Sequence, residues 1–243
     1  MDQNLVRLSK FLASAGVASR RNVDKIIKEG RVSVNNIVTV DAFFRVLPHK
    51  DCVTVDNKNI QYQIGYKYIA LYKPAGYLSD LVGSGNRKLA RALLNDKERL
   101  FPVGRLDYQS EGLMLFTNDG EFAHRVMHPR YETEKEYLAK VKGKLEPSDL
   151  LRAVEGLHLE GERYAFDRIM LVRAERQNAW YRIVVHEGKN RMIRKVAEAM
   201  GHPVLRLLRV RIGTIELGSM KPGESRYLAR EEVAQLRRER PSS

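Results

Sequence analysis

Apolar positions recur at helical spacing near the start of the chain. Leu5, Leu8 and Leu12 stand three or four residues apart with Phe11 beside them, and Gly16 is placed to end a helix in a left-handed cap. A second helix is predicted next, with Ser19 as N-cap, Val23, Ile26 and Ile27 as its apolar stripe, and Gly30 at its end. The period then changes. In RVSVNNIVTVDAF apolar and polar residues alternate around Asn35-Asn36, a pair that tolerates the positive φ of a tight hairpin turn. Helix, helix, hairpin is the predicted order of this first unit.

The polar stretch DNKNIQYQIGYK reads as a linker, so the chain is expected to divide into residues 1–61 and 62–243. Beyond it, Tyr68 to Tyr72 is a buried strand broken by Pro74 and Gly76, and KLARALL is a helix after a loop. Leu113 to Thr117 is apolar and short, which predicts a strand buried on both faces. Asn118-Asp119-Gly120 then makes a turn into a helix that pairs Phe122 with Val126 and Ala123 with Met127 and stops at Pro129. EKEYLAKVKG alternates so that Tyr137, Ala139 and Val141 share one strand face. Ala179 to Val185 is a further strand. After a turn at Glu187-Gly188 comes a helix striped by Ile193, Val196, Ala197 and Met200 and capped by Gly201.

Charge narrows the range of partners. Of 243 residues, 43 are Lys or Arg and 30 are Asp or Glu, a net charge of +13 that makes a polyanion, nucleic acid first, the expected partner. Residues 1–50 carry nine bases against four acids, and residues 187–211 carry seven (Lys189, Arg191, Arg194, Lys195, Arg206, Arg209, Arg211) against Glu187 and Glu198. A second RNA-facing patch is expected there. No apolar run nears the roughly 18 residues of a membrane span, and the N-terminus has no signal-peptide pattern, so a cytoplasmic protein is expected. The single cysteine, Cys52, has no internal partner for a disulfide.

The segment FPVGRLDYQSEGLMLFTNDG raises the chemical question. Asp107 lies in the loop before a core strand, where a scaffold can hold a catalytic group rigidly. A partner carboxylate, as in glycoside hydrolysis, would have to be Glu111 or Asp119. Glu111 reads as a solvated loop charge and Asp119 as a turn residue or N-cap, which leaves such a pair unproved. His124 and His128 share the spacing of a zinc pair, but Arg125 occupies the place of the general-base glutamate, so no metal site is expected and capping or packing roles fit better. GSGNRK lacks the spacing of a phosphate-binding loop.

Two resemblances sharpen this reading. RLSKFLASAGVASRRNVDKIIKEGRVSVNN resembles the RNA-binding module first known from small-subunit ribosomal protein S-four, which implies that Lys10, Arg20, Arg21, Lys28 and Arg31 lie along a structured-RNA backbone. KPAG, GRLDYQSEGLMLFTNDG, HPRYETEKEYLAKV and EGKNRMIRKV, in that order, resemble the motifs of bacterial rRNA pseudouridine synthases of the Rsu/Rlu type. That resemblance implies an α+β catalytic domain with a mostly antiparallel mixed sheet flanked by helices. It makes Asp107 the essential carboxylate, Arg105 the arginine two positions before it, and Tyr137 the ring that stacks on the target base. Ile193 and Arg194 become the pocket-lining apolar residue and the base that pairs with the aspartate. Met192 stands where glutamine is common and Ser110 where threonine is common.

The implied reaction detaches uracil N1 from ribose C1′, turns the base and rejoins it through C5, so it calls for no activated water, metal or cofactor. The expected partner is ribosomal RNA or a ribosome assembly intermediate, and a monomer is expected. NAWYRIVVHEGKNR and VEGLHLEG look closer to the large-subunit branch than to the small-subunit one. The competing readings are a non-catalytic RNA-binding or ribosome-assembly protein on the same scaffold and, last, a hydrolase with paired carboxylates.

Overall fold

A computed structural model describes residues 5–48, 50–62, 65–81, 85–96 and 98–238. They form two compact units, one made of residues up to 66 with 98–99, the other of 67–96 and 100 onward.

In the first unit β1 (Val6–Arg7) leads directly into α1 (Leu8–Ser14), followed by α2 (Arg20–Lys28). Leu5 is therefore outside the first helix and exposed, because the chain at Val6 pairs with Val46 of β4 (Arg45–Val46) before it turns helical. Leu8, Phe11, Leu12, Val23 and Ile27 make the core of the unit. Ser19 Oγ accepts the Asn22 N–H at 3.3 Å, and Gly16 and Gly30 take φ of +80° and +71° past the two helix ends. The predicted hairpin forms: β2 (Val32–Val34) and β3 (Ile37–Val38) pair antiparallel across Asn35-Asn36, both at positive φ. The expected linker holds more structure than its polarity suggested. Asp56-Asn57 repeats the positive-φ turn between β5 (Val53–Val55) and β6 (Lys58–Asn59), completing a sheet ordered β3-β2-β5-β6.

The second unit is built on one mixed sheet. Its strands are β7 (Tyr68–Lys73), β8 (Phe101–Val103), β9 (Glu111–Thr117), β10 (Lys135–Lys142), β13 (Arg168–Ala174), β14 (Asn178–Val185), β15 (Val204–Ile212), β16 (Ile215–Glu216) and β17 (Ser225–Tyr227). The order is β13-β14-β10-β15-β9-β7-β17, with β16 on β15 and β8 on β9. Every pairing is antiparallel except β9 with β15. A small hairpin, β11 (Leu157–Leu159) with β12 (Glu162–Tyr164), lies apart from it. The architecture is thus the expected α+β class with a mostly antiparallel sheet.

Helices cover the sheet. Helix α4 (Pro147–Glu155) contributes Ala153 to a core with β10 and β14, and α5 (Met192–Ala199) contributes Met192, Ile193, Val196 and Ala197. Helices α3 (Gly120–Met127) and α6 (Arg230–Arg238) pack Phe122, Val126, Val233 and Leu236 against Ala70, Leu113 and Leu115. On the alternate positions of β7 and β9, Ile69, Leu71, Met114 and Phe116 enter another core with Leu100 and Leu106. Strand β9 is therefore buried on both faces, as its unbroken apolar run predicted. KLARALL, in contrast, gives only a 3-10 turn at Ala90–Leu93, because Leu89 stays extended to bridge Leu78. Gly83 and Ser84 of the preceding loop lie outside the described residues.

Candidate active site

The loop between β8 and β9 is held from beneath by the segment that follows β7. Lys73, fully buried at the end of β7, donates from Nζ to the Ser110 carbonyl at 2.7 Å and to its neighbour's, Pro74, at 3.0 Å. Gly76 N–H donates to the Tyr108 carbonyl at 2.8 Å. The Ser79 hydroxyl donates to the Leu106 carbonyl at 2.7 Å and accepts the Leu106 N–H at 3.0 Å. Asp107 sits between these tethers, its own carbonyl accepting the Ser110 N–H at 3.0 Å. The KPAG motif thus acts as a clamp on the loop, a role that its spacing did not announce.

Arg194 reaches this loop from α5, 87 residues further along the chain. Its Nε lies 3.9 Å from Asp107 Oδ2, and its terminal nitrogens donate to Ser110 Oγ at 3.3 Å and the Val204 carbonyl at 3.1 Å. The serine hydroxyl therefore serves as an acceptor for the arginine. Burial lowers the pKa of Arg194, and the Asp107 carboxylate opposes that shift. Tyr137, half-buried on β10, lies opposite Arg209 of β15, whose Nη1 donates to the phenol oxygen at 3.4 Å.

Asp107, Tyr137, Ile193 and Arg105 line one cavity of about 660 Å³ together with Arg209, Met192 and the loop 187–191. Arg194 touches Asp107 without lining the cavity. Arg105 is largely exposed at 68% of its side chain, 3.7 Å from Asp80, which places its guanidinium at the rim. Sequence reasoning passed over Lys73, Ser79 and Arg209. Lys73 and Arg209 carried the ordinary signature of solvated bases, and only the fold reveals them as buried.

The structure corrects two expectations and bears out a third, the N-cap role of Asp119. Glu111 is no solvated loop charge. It opens β9 with a 13% exposed side chain, ion-paired to Arg206 and accepting the Tyr72 hydroxyl at 3.3 Å. Asp119 is the N-cap of α3, accepting Glu121 N–H at 3.0 Å and Phe122 N–H at 3.1 Å, and it also binds Tyr68 and Arg237. Neither acid lines the cavity, and each is engaged by partners other than Asp107. The basic run 187–211 is largely consumed inside the fold. Lys189 pairs with Glu187, Lys195 with Glu160, Arg206 with Glu111, and Arg211 with Glu134 and Glu136, while Arg209 is buried.

His128 caps the 3-10 turn Pro129–Tyr131, its Nδ1 accepting the Arg130 N–H at 3.2 Å, and the His124 ring lies 4.7 Å from it. In the first unit Arg20, Arg21 and Lys28 are exposed and Lys10 is half-buried. Arg31 is committed to a bidentate pair with Asp56, through Nε at 2.8 Å and Nη2 at 2.5 Å. No described helix is long and apolar enough to cross a membrane.

Comparison with known proteins bears on the whole chain. Residues 67–199 match the family model described as RNA pseudouridylate synthase, and residues 6–51 match the S4 domain. A protein of Aquifex aeolicus named "Uncharacterized RNA pseudouridine synthase" is 46% identical over 233 residues, covering 95% of this chain and 93% of its own. "Ribosomal large subunit pseudouridine synthase B" of Bacillus subtilis is 40% identical over 235 residues, covering 95% of each. A solved structure titled "Crystal structure of pseudouridylate synthase" superposes with a TM-score of 0.66 at 25% identity, over 95% of this chain and 99% of that one. Matched along nearly its entire length, the chain belongs to the RNA pseudouridylate synthase family, an isomerase of RNA uridine joined to an S4 domain.

Proposed function

We propose that the chain isomerises a specific uridine of large-subunit ribosomal RNA, with Asp107 as its only catalytic carboxylate. The observation that carries this reading is the meeting of three distant segments: Asp107 and Tyr137 line one cavity, and Arg194 reaches to 3.9 Å from Asp107. The large subunit is favoured by the name of the Bacillus subtilis relative. The first unit serves as the RNA-binding module and the second as the catalytic domain, acting as a monomer in the cytoplasm on ribosomal RNA or an assembly intermediate.

The target uridine leaves its stack at a cost of a few kcal/mol, which stacking on Tyr137 and phosphate contacts offset. Ile193 packs beside the base, and Arg105, at the rim, fills the gap left in the RNA. Once the base is in the pocket, the N1–C1′ bond breaks with its electron pair remaining on uracil. The C5–C1′ bond then forms, the C5 proton is lost and N1 gains one. Nothing is oxidised or consumed, so a single carboxylate held ready by Arg194 suffices.

Mapping of pseudouridines in ribosomal RNA from cells with and without the protein tests the target. One large-subunit position should lose its modification, and a change confined to small-subunit RNA would overturn that assignment. Asp107→Asn should abolish product while leaving RNA affinity nearly intact. An active Asp107→Asn protein would remove Asp107 from the chemistry.

A further inference from the structure

Three cations and one carboxylate, Asp107, gather at this pocket: the charges of Asp107 and Arg209 both act on Lys73. Lys73 is fully buried, Arg209 is 4% exposed, and Arg194 approaches Asp107. Glu111, the other acid whose charge acts on Lys73, is already engaged by Arg206. Buried charge without a counter-charge is unfavourable, so the excess suits a ligand that brings negative charge or strong acceptors.

Arg209 is the cation with a nitrogen to offer the cavity. Its Nε donates to the Leu113 carbonyl at 2.7 Å and its Nη1 to Tyr137 Oη at 3.4 Å, with the guanidinium 6.0 Å from the Tyr137 ring centroid. Its Nη2 is buried and has no hydrogen-bond partner among the described residues, although Arg209 lines the same cavity as Asp107 and Tyr137. Arg194 Nε is also buried without a hydrogen-bond partner among them, but it faces Asp107 at 3.9 Å and Arg194 does not line the cavity, whereas Arg209 does. Buried polar groups are almost always satisfied, and an orphaned one at a binding pocket calls for an acceptor from the ligand. Uracil presents two, O2 and O4. When the N1–C1′ electron pair stays on the base, the resulting charge spreads onto those oxygens.

We propose that Arg209 donates from Nη2 to a carbonyl oxygen of the flipped uracil and stabilises the base while it is detached from the sugar. This rests on the cavity being the uridine pocket. It gives Arg209 a direct contact with substrate, beyond holding the Tyr137 hydroxyl.

Rates on RNA carrying uridine, 2-thiouridine or 4-thiouridine at the modified position test the assignment, because sulfur is a much weaker acceptor than oxygen. The wild-type protein should lose about 10- to 100-fold in kcat/KM at one thio position relative to the other, the scale of one hydrogen bond from a charged donor. That comparison needs no variant and cancels the size of sulfur. Arg209→Lys and Arg209→Gln, checked for a native melting transition, should lose a similar factor on uridine and show no further loss at that thio position. Equal thio penalties in the wild type, or the same penalty in wild type and variants, would overturn the proposal. So would a Tyr137→Phe protein that reproduces the whole Arg209→Lys defect, since Arg209 would then act only through the phenol. An active Asp107→Asn protein would instead remove the pocket reading itself.

Discussion

Lys73 is buried completely among backbone carbonyls, in a position where an ammonium is poorly solvated. Burial first, and the nearby Arg209 second, pull its pKa down from 10.5 to about 8, against the pull of Asp107 and Glu111. The unfolded chain titrates this lysine near 10.5, so between about 8 and 10.5 the unfolded state holds the extra proton and the folded state gains stability as pH rises. Lys73→Met removes that dependence. In urea melts at pH 7.5 and pH 10.5, the wild type should gain roughly 2–3 kcal/mol relative to Lys73→Met, because each tenfold weakening of proton binding is worth about 1.4 kcal/mol. An unchanged difference between the two proteins would show that the lysine titrates as a solvated one. The same residue illustrates what a linear reading misses. Lys73 stands between Tyr72 and Pro74 with nothing in its neighbours to mark it as buried, and only the pairing of β7 with β9 encloses it.

At the scale of elements, the antiparallel pairing of β15 with β10 sets Arg209 opposite Tyr137, and the parallel contact between β9 and β15 sets it against Gly112, just after the Asp107 loop. The parallel contact depends on Gly112, which pairs with Arg209 at φ +108° and leaves no room for a side chain. A Cβ there would lie 2.2 Å from the Arg209 carbonyl oxygen and 2.6 Å from its nitrogen. Gly112→Ala should therefore force the strands apart and cost at least about 3 kcal/mol, combining overpacking with left-handed strain. Gly104→Ala, at φ +78° with open space around the new methyl, should cost only about 1–2 kcal/mol. Thermal melts of the two variants give the comparison, and equal losses would deny the close approach. The antiparallel hairpin at Asn35-Asn36, strand β9 and helices α2, α3 and α5 were legible because local periodicity and caps agree with the fold. The β9–β15 pairing was not, since it joins segments almost a hundred residues apart. Glu111 was misread for the same reason: Arg206, its partner, comes from β15. Asp107, Tyr137 and Arg194 were legible as an ordered set of motifs, whereas Arg209 looked like one more base in a charged run.

Across the whole molecule, the question is where a net charge of +13 meets RNA. Of the seven bases in 187–211, Lys189, Lys195, Arg206 and Arg211 hold carboxylates of their own fold, and Arg194 and Arg209 serve the pocket. Charge committed to a neighbouring acid releases few counterions when RNA binds. Arg20, Arg21 and Lys28 of the S4 unit are exposed, on or at the end of α2, and form none of the described ion pairs. If they follow the phosphate backbone, each contact adds about 0.7–0.9 to the slope of log affinity against log salt. The triple variant Arg20→Ala, Arg21→Ala, Lys28→Ala should make that slope shallower by about 2–3 while leaving kcat at saturating RNA unchanged. Lys195→Ala with Arg211→Ala should change the slope by less than about 1, because those side chains already hold Glu160, Glu134 and Glu136. Filter binding between 50 and 300 mM salt separates the two surfaces. A larger change from the second pair would move the RNA backbone off the S4 unit and onto the sheet domain.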